Sequence, residues 1–281
     1  MNKKTIIISG CGFRTNSINE LSNNIFKSED VKINIGTAAA YTLASSGYNL
    51  ILISRTRAKL NLIKKSLLEF FPDVKITVCA LDLLSADEVY RFVASLNKEN
   101  EYAYVHSAGL SSGTYHLKDD NPYLFAEETP IELPTIEFES VVKSLLIIIK
   151  NLLPTFRKQK ESRIVVVSSM SSVRAVPLGF SHTSAKAGLH NATRSLSLEL
   201  NKENIFVSEV MPGAVDTGMY DNKIVQSRVF EMGKMFGYDY KEVPMMPPSA
   251  VADAIKLCLE SKSHILSINM VGQGQWPNLS S

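Results

Sequence analysis

Short apolar runs rich in β-branched residues alternate along the chain with longer segments whose apolar residues recur every three or four positions. The runs predict seven strands, at 5–9, 50–54, 74–80, 102–106, 164–168, 205–211 and 265–271. The longer segments predict helices, at 36–46, 58–71, 86–96, 137–157, 184–200 and 250–260. Strands that are apolar on both faces and separated by helices imply a parallel sheet with helices on both faces. The predicted fold class is therefore doubly wound α/β of the Rossmann type.

Three long segments lack this alternation. Residues 13–33 separate the first strand from the first helix, residues 110–134 form an acidic connection, and residues 216–248 are rich in Met, Tyr and Phe. Long connections in a compact domain commonly serve as lids or binding loops. Because no linker or repeat divides the chain, we expect one domain over 1–281, with an insertion at 13–33 and a substrate lid at 216–248.

The charge balance and the cysteine content exclude several classes of protein. The chain has 30 basic and 28 acidic side chains, so its net charge of +2 leaves no positive excess for a nucleic acid or an anionic membrane. Cys11, Cys79 and Cys258 are odd in number and far apart, which argues against disulfides and cysteine metal sites and favours the cytoplasm. No apolar run reaches the roughly 18 residues of a membrane span, and no histidines have metal-ligand spacing. We expect a small-molecule substrate and no metal.

Glycines follow the first predicted strand and open the first predicted helix. Gly10 and Gly12 end the strand, and Asn34, Ile35 and Gly36 begin the helix. A glycine turn at this place lets backbone amides and a helix N-terminus reach the pyrophosphate of a dinucleotide. Because asparagine tolerates positive φ, we expect Asn34 to replace the middle glycine of such a turn. The alternative is that the glycines only end a strand and allow close packing.

The second strand is followed by two arginines, Arg55 and Arg57. Dinucleotide folds read the adenosine ribose here, and guanidinium groups bind a 2′-phosphate where a carboxylate would repel it. The pair therefore favours NADP(H) over NAD(H), unless both are ordinary solvated side chains at a helix start. Asp82 and Leu83 follow the third strand, where they are placed to meet the adenine, although Asp82 could instead cap the next helix.

The second half of the chain continues this series of motifs. It contains His106-Ser107-Ala108-Gly109 after a strand, then Ser168-Ser169, the helical segment from His182 to Lys186, and Pro-Gly-Ala-Val-Asp-Thr at 212–217. In this order and spacing the chain resembles the short-chain dehydrogenase/reductase family over nearly its whole length.

The resemblance implies an NAD(P)-dependent oxidoreductase in which a Tyr-x-x-x-Lys pair and a preceding serine act on a carbonyl or alcohol. Lys186 matches the lysine, which holds the nicotinamide ribose, and Ser169 matches the serine. His182 stands where the family has tyrosine. The helix asparagine that usually assists the lysine is not found near 142–145. The other cofactor contacts that the resemblance implies are Ser107, Ala108, Gly109, Pro212, Gly213, Val215 and Thr217.

These departures leave three hypotheses for the function. The first is an NADPH-dependent carbonyl reductase in which a protonated His182 is the general acid, Ser169 polarises the carbonyl and Lys186 holds the ribose. The second is hydride addition to a conjugated double bond, which needs no dedicated acid. The third is a non-catalytic NADP-binding protein.

The resemblance also points to substrate contacts and to self-association. It places Tyr115 and Tyr220 near the substrate. Met219 belongs to the lid rich in Met and aromatic residues, which is expected to cover an apolar substrate, although those residues could instead be buried core. The apolar run at 145–149 exceeds one helical face, which suggests burial by another subunit. Family members commonly pair through this helix and the catalytic one, so a homodimer or homotetramer is expected.

Overall fold

A seven-stranded parallel sheet forms the centre of the computed structural model, which describes residues 4–15, 24–109 and 121–275. The strands of these ranges are β1 (Thr5–Ser9), β2 (Phe13–Arg14), β3 (Lys32–Ile33), β4 (Asn49–Ser54), β5 (Ile76–Ala80), β6 (Tyr102–His106), β7 (Ser162–Val167), β8 (Ile205–Pro212) and β9 (Ser267–Met270). The sheet order is β5-β4-β1-β6-β7-β8-β9, and every neighbouring pair is parallel. The predicted fold class and its seven strands are confirmed.

Helices cover both faces of the sheet. They are α1 (Ile35–Ser45), α2 (Arg57–Phe70), α3 (Ala86–Ala94), α4 (Leu133–Phe138), α5 (Ser144–Phe156), α6 (Phe180–Leu200), α7 (Lys223–Met235) and α8 (Pro248–Glu260). One apolar core lies under α1, α2 and α8, and includes Leu43, Leu60 and Ile255. A second core lies under α3, α5 and α6, and includes Ile148 and Leu189. Burial on both faces explains why the strands have few polar residues.

The predicted helix 137–157 is divided in the structure. It begins earlier, at α4, and a π-helical turn (Glu139–Lys143) joins α4 to α5. Ser140 Oγ donates a hydrogen bond to the Glu137 carbonyl oxygen at 2.7 Å, and Ser144 Oγ donates to the Ser140 carbonyl oxygen at 2.5 Å. Serine hydroxyls compete with backbone amides for such carbonyls, which is consistent with a wider turn here. α7 also lies in a segment for which periodicity predicts no helix.

The order of the strands places the sequence motifs at one edge of the sheet. β1 pairs with β4 on one side and β6 on the other, with Ser9 opposite both Ile53 and His106. The strand order reverses at β1, and ligands of open α/β sheets bind outside the carboxyl ends of the strands at such a point. The segments that follow β1, β4, β6, β7 and β8 therefore converge on one cleft.

The insertion begins and ends at this same edge. β2 and β3 pair as an antiparallel ribbon at its base. Lys32 Nζ lies 2.7 Å from Asp216 Oδ2, on the loop after β8. A Cβ atom at Gly218 would lie 3.0 Å from Lys32 Cβ, so the ribbon packs directly on that loop. The ribbon thus connects two sides of the cleft; residues 16–23 lie outside the described ranges.

The second part of the insertion packs on the outer surface of α1 and α2. Ile25 is only 1% exposed, and its backbone amide donates to Ser66 Oγ at 3.1 Å. The ring of Phe26 lies 4.9 Å from that of Tyr41. These contacts make this part of the insertion an extension of the core.

We predict that Ile25→Ala lowers the free energy of unfolding by about 2–5 kcal/mol, the usual cost of removing a fully buried isoleucine side chain. Urea denaturation followed by circular dichroism measures the change. Ile131→Ala, at a site that is 86% exposed, is the matched control and should change stability by less than about 0.5 kcal/mol. Equal losses in the two variants would contradict the packing of the insertion.

Candidate functional site

A cavity of about 270 Å³ lies between the carboxyl edge of the sheet and the segment 216–248. Many of the residues singled out from the sequence meet on its wall: Ile35, Ser169, His182, Lys186, Pro212, Gly213, Val215, Thr217, Met219 and Tyr220. Tyr115 lies outside the described residues. The structure therefore brings motifs from four separate chain segments together in one site.

The glycine turn after β1 is closed by its neighbours. Gly10 has φ +83°, and a Cβ atom there would lie 2.4 Å from the Ser107 carbonyl oxygen. A Cβ atom at Gly36 would lie 2.7 Å from the Gly10 carbonyl oxygen. Only glycine fits either position, because the chain passes another backbone segment too closely for a side chain.

Asn34 does not replace a glycine by positive φ, as the sequence suggests; its φ is −87°. It acts through its side chain instead. Nδ2 donates to the Gly10 carbonyl oxygen at 2.7 Å, and Oδ1 accepts from the amides of Gly12 at 3.1 Å and Thr37 at 3.0 Å. Asn34 is therefore the N-cap of α1 and holds the interrupted turn together. The first-turn amides of Ile35 and Gly36 remain for an anion.

Positive charge collects at the end of β4 and the start of α2. Arg55 and Arg57 are both exposed, and neither is in an ion pair among the described residues. Lys59 Nζ donates to the Phe13 carbonyl oxygen at 3.0 Å, which brings it beside β2. Burial lowers the pKa of Lys59, and the nearby Arg14 charge lowers it further. Sequence reasoning missed Arg14 and Lys59 because the ribbon brings them here.

The turn after β5 differs in detail from the expectation. Asp82 Oδ1 accepts from the Leu84 amide at 3.0 Å, and the N-cap of α3 is Ser85. Asp82 therefore does not cap the helix and remains exposed at the edge of the sheet. The Leu83 side chain is buried in the hydrophobic core.

The segment after β6 packs against the glycine turn that follows β1. The Ser107 amide donates to the Ser9 carbonyl oxygen at 3.2 Å, and Ala108 and Gly109 continue along the sheet edge. His106 is buried, with Nδ1 2.7 Å from the Tyr104 hydroxyl. Burial lowers the pKa of His106 to about 3, so it is a neutral structural residue.

The three candidate catalytic side chains come from the turn after β7, which carries Ser169, and from α6. Ser169 Oγ accepts hydrogen bonds from the amide of Ser171 at 3.1 Å and its hydroxyl at 2.8 Å. Its own hydroxyl proton is left to donate to a ligand. His182 and Lys186 are one turn apart on α6 and share the face that lines the cavity. A Cβ atom at Gly109 would lie 4.0 Å from Lys186 Nζ, so the lysine reaches toward the end of β6.

The environment sets the charges of these groups. Burial lowers the pKa of His182 to about 3, and the Lys186 charge contributes. The ring is therefore neutral at pH 7, contrary to the imidazolium expected from the sequence, although a neutral imidazole keeps one N–H donor. Burial lowers the pKa of Lys186 to about 8, opposed by the charges of Glu137 and Glu209. Lys186 is mostly an ammonium ion at neutral pH.

Glu137 belongs to the site and no sequence motif marks it. Its side chain lines the cavity with His182 and Lys186, and its Oε2 is buried without a hydrogen-bond partner among the described residues. Burial raises the pKa of Glu137 to about 7, opposed by the Lys186 charge. Periodicity could not reveal it, because the path of α4 and the π-helical turn brings it over the cleft.

The segment 216–248 forms the apolar wall opposite the sheet. Met219 and Tyr220 line the cavity, and the Tyr220 hydroxyl lies 3.1 Å from that of Tyr123. Met235 and Phe236, by contrast, are 51% and 44% exposed. Residues that sequence reasoning did not single out complete this wall: Tyr123, Val229, Tyr240, Val243 and Gln275.

Within 4–15, 24–109 and 121–275, no group of three histidine, cysteine or acidic side chains is arranged to hold a metal ion. Over the same residues, no helix has the length and apolar character needed to cross a membrane.

Comparison with known proteins places the chain among oxidoreductases. A model of the short chain dehydrogenase family matches residues 33–227. The uncharacterized oxidoreductase YmfI of Bacillus subtilis is 28% identical over 247 residues, which cover 84% of this chain and 93% of that protein. The human inactive hydroxysteroid dehydrogenase-like protein 1 is 28% identical over 186 residues, which cover 66% of this chain and 54% of that protein.

Solved structures share the fold. An alcohol dehydrogenase of Thermococcus sibiricus, complexed with 5-hydroxy-NADP, superposes with a TM-score of 0.73 at 21% identity, covering 98% of this chain and 99% of that one. An NADPH-bound short chain oxidoreductase of Pseudomonas aeruginosa, described as containing an atypical catalytic center, superposes with a TM-score of 0.74 at 18% identity, covering 98% of both chains.

Proposed function

Because the chain belongs to the short chain dehydrogenase family of oxidoreductases, we propose that it is an NADPH-dependent reductase that transfers hydride to a carbonyl group of a small organic or carrier-bound substrate. The observation that carries the proposal is the convergence of Ser169, His182 and Lys186 on one cavity at the switch point of the sheet.

The residues at the cleft fit a phosphorylated dinucleotide. The glycine turn and the amides of Ile35 and Gly36 would hold the pyrophosphate, and Arg55 and Arg57 would pair with the 2′-phosphate. Lys186 would hold the nicotinamide ribose. The remaining proposed contacts are Gly10, Gly12, Asn34, Asp82, Leu83, Ser107, Ala108, Gly109, Pro212, Gly213, Val215 and Thr217.

The chemistry divides between the cofactor and the chain. When bound, the reduced nicotinamide supplies the hydride. The Ser169 hydroxyl and the neutral His182 N–H donate hydrogen bonds to the carbonyl oxygen, where negative charge develops. The Lys186 ammonium, one helical turn from His182 on α6, stabilises that charge. Residues 216–248 act as the substrate lid, with Met219 and Tyr220 against an apolar substrate.

Two alternatives to carbonyl reduction are each supported by a specific observation. A neutral His182 can stabilise an enolate as well as a carbonyl, so conjugate reduction of an enone needs no change in the site. The presence of a relative named inactive supports the possibility of a non-catalytic NADP-binding protein.

We expect the purified protein to oxidise NADPH when a carbonyl substrate is present, measured at 340 nm against cyclohexanone, decalone, nitrobenzaldehyde and cyclohexenone. Product analysis for cyclohexenone separates the reactions, because carbonyl reduction yields the allylic alcohol and conjugate reduction yields the saturated ketone. His182→Ala should lower kcat by about 10²-fold, typical of losing a donor to the developing oxyanion. NADPH binding without turnover of any probe would favour the non-catalytic alternative.

For the cofactor preference, we expect Arg55→Ala combined with Arg57→Ala to raise the dissociation constant of NADPH by at least about tenfold, since charge-assisted bonds contribute roughly 1.5–3 kcal/mol. NADH binding should change by less than about threefold, because NADH has no 2′-phosphate. Nicotinamide fluorescence measures both constants. Arg91→Ala, at an exposed arginine of α3, is the control. An equal loss for both nucleotides would contradict the assignment.

The same proposal includes a cytoplasmic location and a homodimer or homotetramer. All three cysteines are free thiols, which suits a reducing compartment. Apolar side chains are exposed on the two helices expected to pair: Leu146 on α5 is 59% exposed, and Phe180 and Leu198 on α6 are 62% and 81% exposed. Isolated apolar groups are ordinary on a surface, but these share two neighbouring helices.

We expect Leu146→Glu combined with Leu198→Glu to convert the oligomer into a monomer, because the charges would be buried without partners at the interface. Light scattering after size exclusion measures the mass. Ile131→Glu, at a site 86% exposed and outside α5 and α6, should leave the oligomer intact. A wild-type protein of monomeric mass would refute this part of the proposal.

A further inference from the structure

We propose that Glu137 is the proton donor of this cleft. Its carboxylic acid supplies the proton that the substrate oxygen gains, while His182 and Ser169 position and polarise that oxygen. The inference rests on the reductase function proposed above, and it assigns the acid that the replacement of tyrosine by histidine removes.

The position of Glu137 follows from close packing between α4 and α6. A Cβ atom at Gly188 would lie 2.8 Å from Phe138 Cε2, so the absence of a side chain at Gly188 allows α4 to approach the helix that carries His182 and Lys186. Ser140 Oγ holds the Glu137 carbonyl oxygen at 2.7 Å. This packing fixes α4 beside the cleft and presents Glu137 to it.

The carboxyl group is placed to give up a proton. Glu137 is the only acidic residue among the described residues of the cavity wall, and its buried Oε2 has no hydrogen-bond partner there. The other carboxyl group that acts on Lys186 belongs to Glu209, whose Oε2 lies 2.7 Å from His190 Nδ1. Glu209 is not part of the cavity wall, so it can influence Lys186 but cannot reach a substrate.

The charges around Glu137 allow it to act near neutral pH. Glu137 faces two groups on α6: the Lys186 ammonium, whose charge favours the ionised form of Glu137, and the neutral His182. On β8, the charge of Glu209 acts on Lys186. Burial outweighs the Lys186 charge and raises the pKa of Glu137 to about 7, whereas that of His182 is about 3. A general acid works best with a pKa near the operating pH, so Glu137 is the better donor.

The proposed step balances in protons and electrons. A bound reduced nicotinamide would supply the hydride for the new C–H bond and would itself be oxidised, and the carbonyl π electrons would move to oxygen. The Glu137 O–H bond breaks as the O–H bond of the alcohol forms, which leaves a carboxylate near the Lys186 ammonium. Solvent returns a proton to Glu137 after the product leaves.

The test compares Glu137→Gln with Glu139→Gln. Glu139 lies in the π-helical turn, forms an ion pair with Lys143 at 2.7 Å and has a side chain that is 40% exposed. Because Glu139 does not line the cavity, Glu139→Gln makes the same chemical change as Glu137→Gln at a neighbouring position outside the site. With NADPH and a carbonyl probe that the wild type reduces, kcat is measured from pH 5.5 to 9.5. Wild type and Glu139→Gln should lose activity about tenfold per pH unit from about pH 7, and more steeply once Lys186, with a pKa of about 8, also loses its proton. Glu137→Gln should be about 10²-fold slower than wild type at pH 6, and this difference should shrink above about pH 7, where the wild-type carboxyl group is ionised.

A second readout requires neither substrate nor cofactor. In protein labelled with ¹³C at glutamate Cδ, one carboxyl resonance should titrate near pH 7 in the wild type and in Glu139→Gln. It should be absent in Glu137→Gln. NADPH binding, measured by fluorescence, should change by less than about threefold in either variant, because neither residue is a proposed cofactor contact.

The outcomes separate this inference from the function on which it rests. Carbonyl reduction by Glu137→Gln at the wild-type rate and with the wild-type pH profile would overturn the role of Glu137 and leave the reductase function standing. So would the absence of any glutamate that titrates near neutrality. Failure of the wild type to reduce any carbonyl probe would overturn both.

Discussion

One buried positive charge, the ammonium group of Lys186, sets the chemistry of the cleft. Removing an ammonium ion from water is costly, and burial lowers its pKa to about 8. The charges of Glu137 and Glu209 oppose this shift, so the ion persists at neutral pH. The same charge helps to keep His182 neutral and limits the rise in the pKa of Glu137. The protonation states of the site are therefore coupled, and none can be assigned alone.

The scaffold keeps this charge in place while tolerating a long insertion. α6 is anchored by Ala185 and Leu189, which are buried in the core between this helix and the sheet, so the histidine and the lysine are carried by a packed helix. The glycine turn is interrupted, yet the Asn34 side chain bonds to both Gly10 and Gly12 and keeps its two halves together. The insertion is held by a buried anchor at Ile25 and by the ribbon beside the cleft.

If His182 takes the place of the family's tyrosine, as we propose, more changes than the identity of the acid. An exposed histidine in its protonated, imidazolium form has a pKa of about 6.5, so it is a far stronger acid than a tyrosine phenol, whose pKa is about 10. In this buried position beside an ammonium ion the cationic ring does not form at neutral pH, so the advantage is lost. The ring remains a hydrogen-bond donor, and in our proposal Glu137 supplies the proton instead.

Much of the fold and part of the site were predictable from the sequence by itself. Alternating apolar periodicity is a property of short segments, so seven strands and the helices between them were predicted, and motif spacing indicated Lys186, Ser169 and His182. The tertiary structure alone decided the extended backbone of Asn34, the neutral state of His182 and the placement of Glu137. These three features depend on desolvation or on packing between segments that are far apart in the chain. A pattern within a short stretch of sequence does not reveal either.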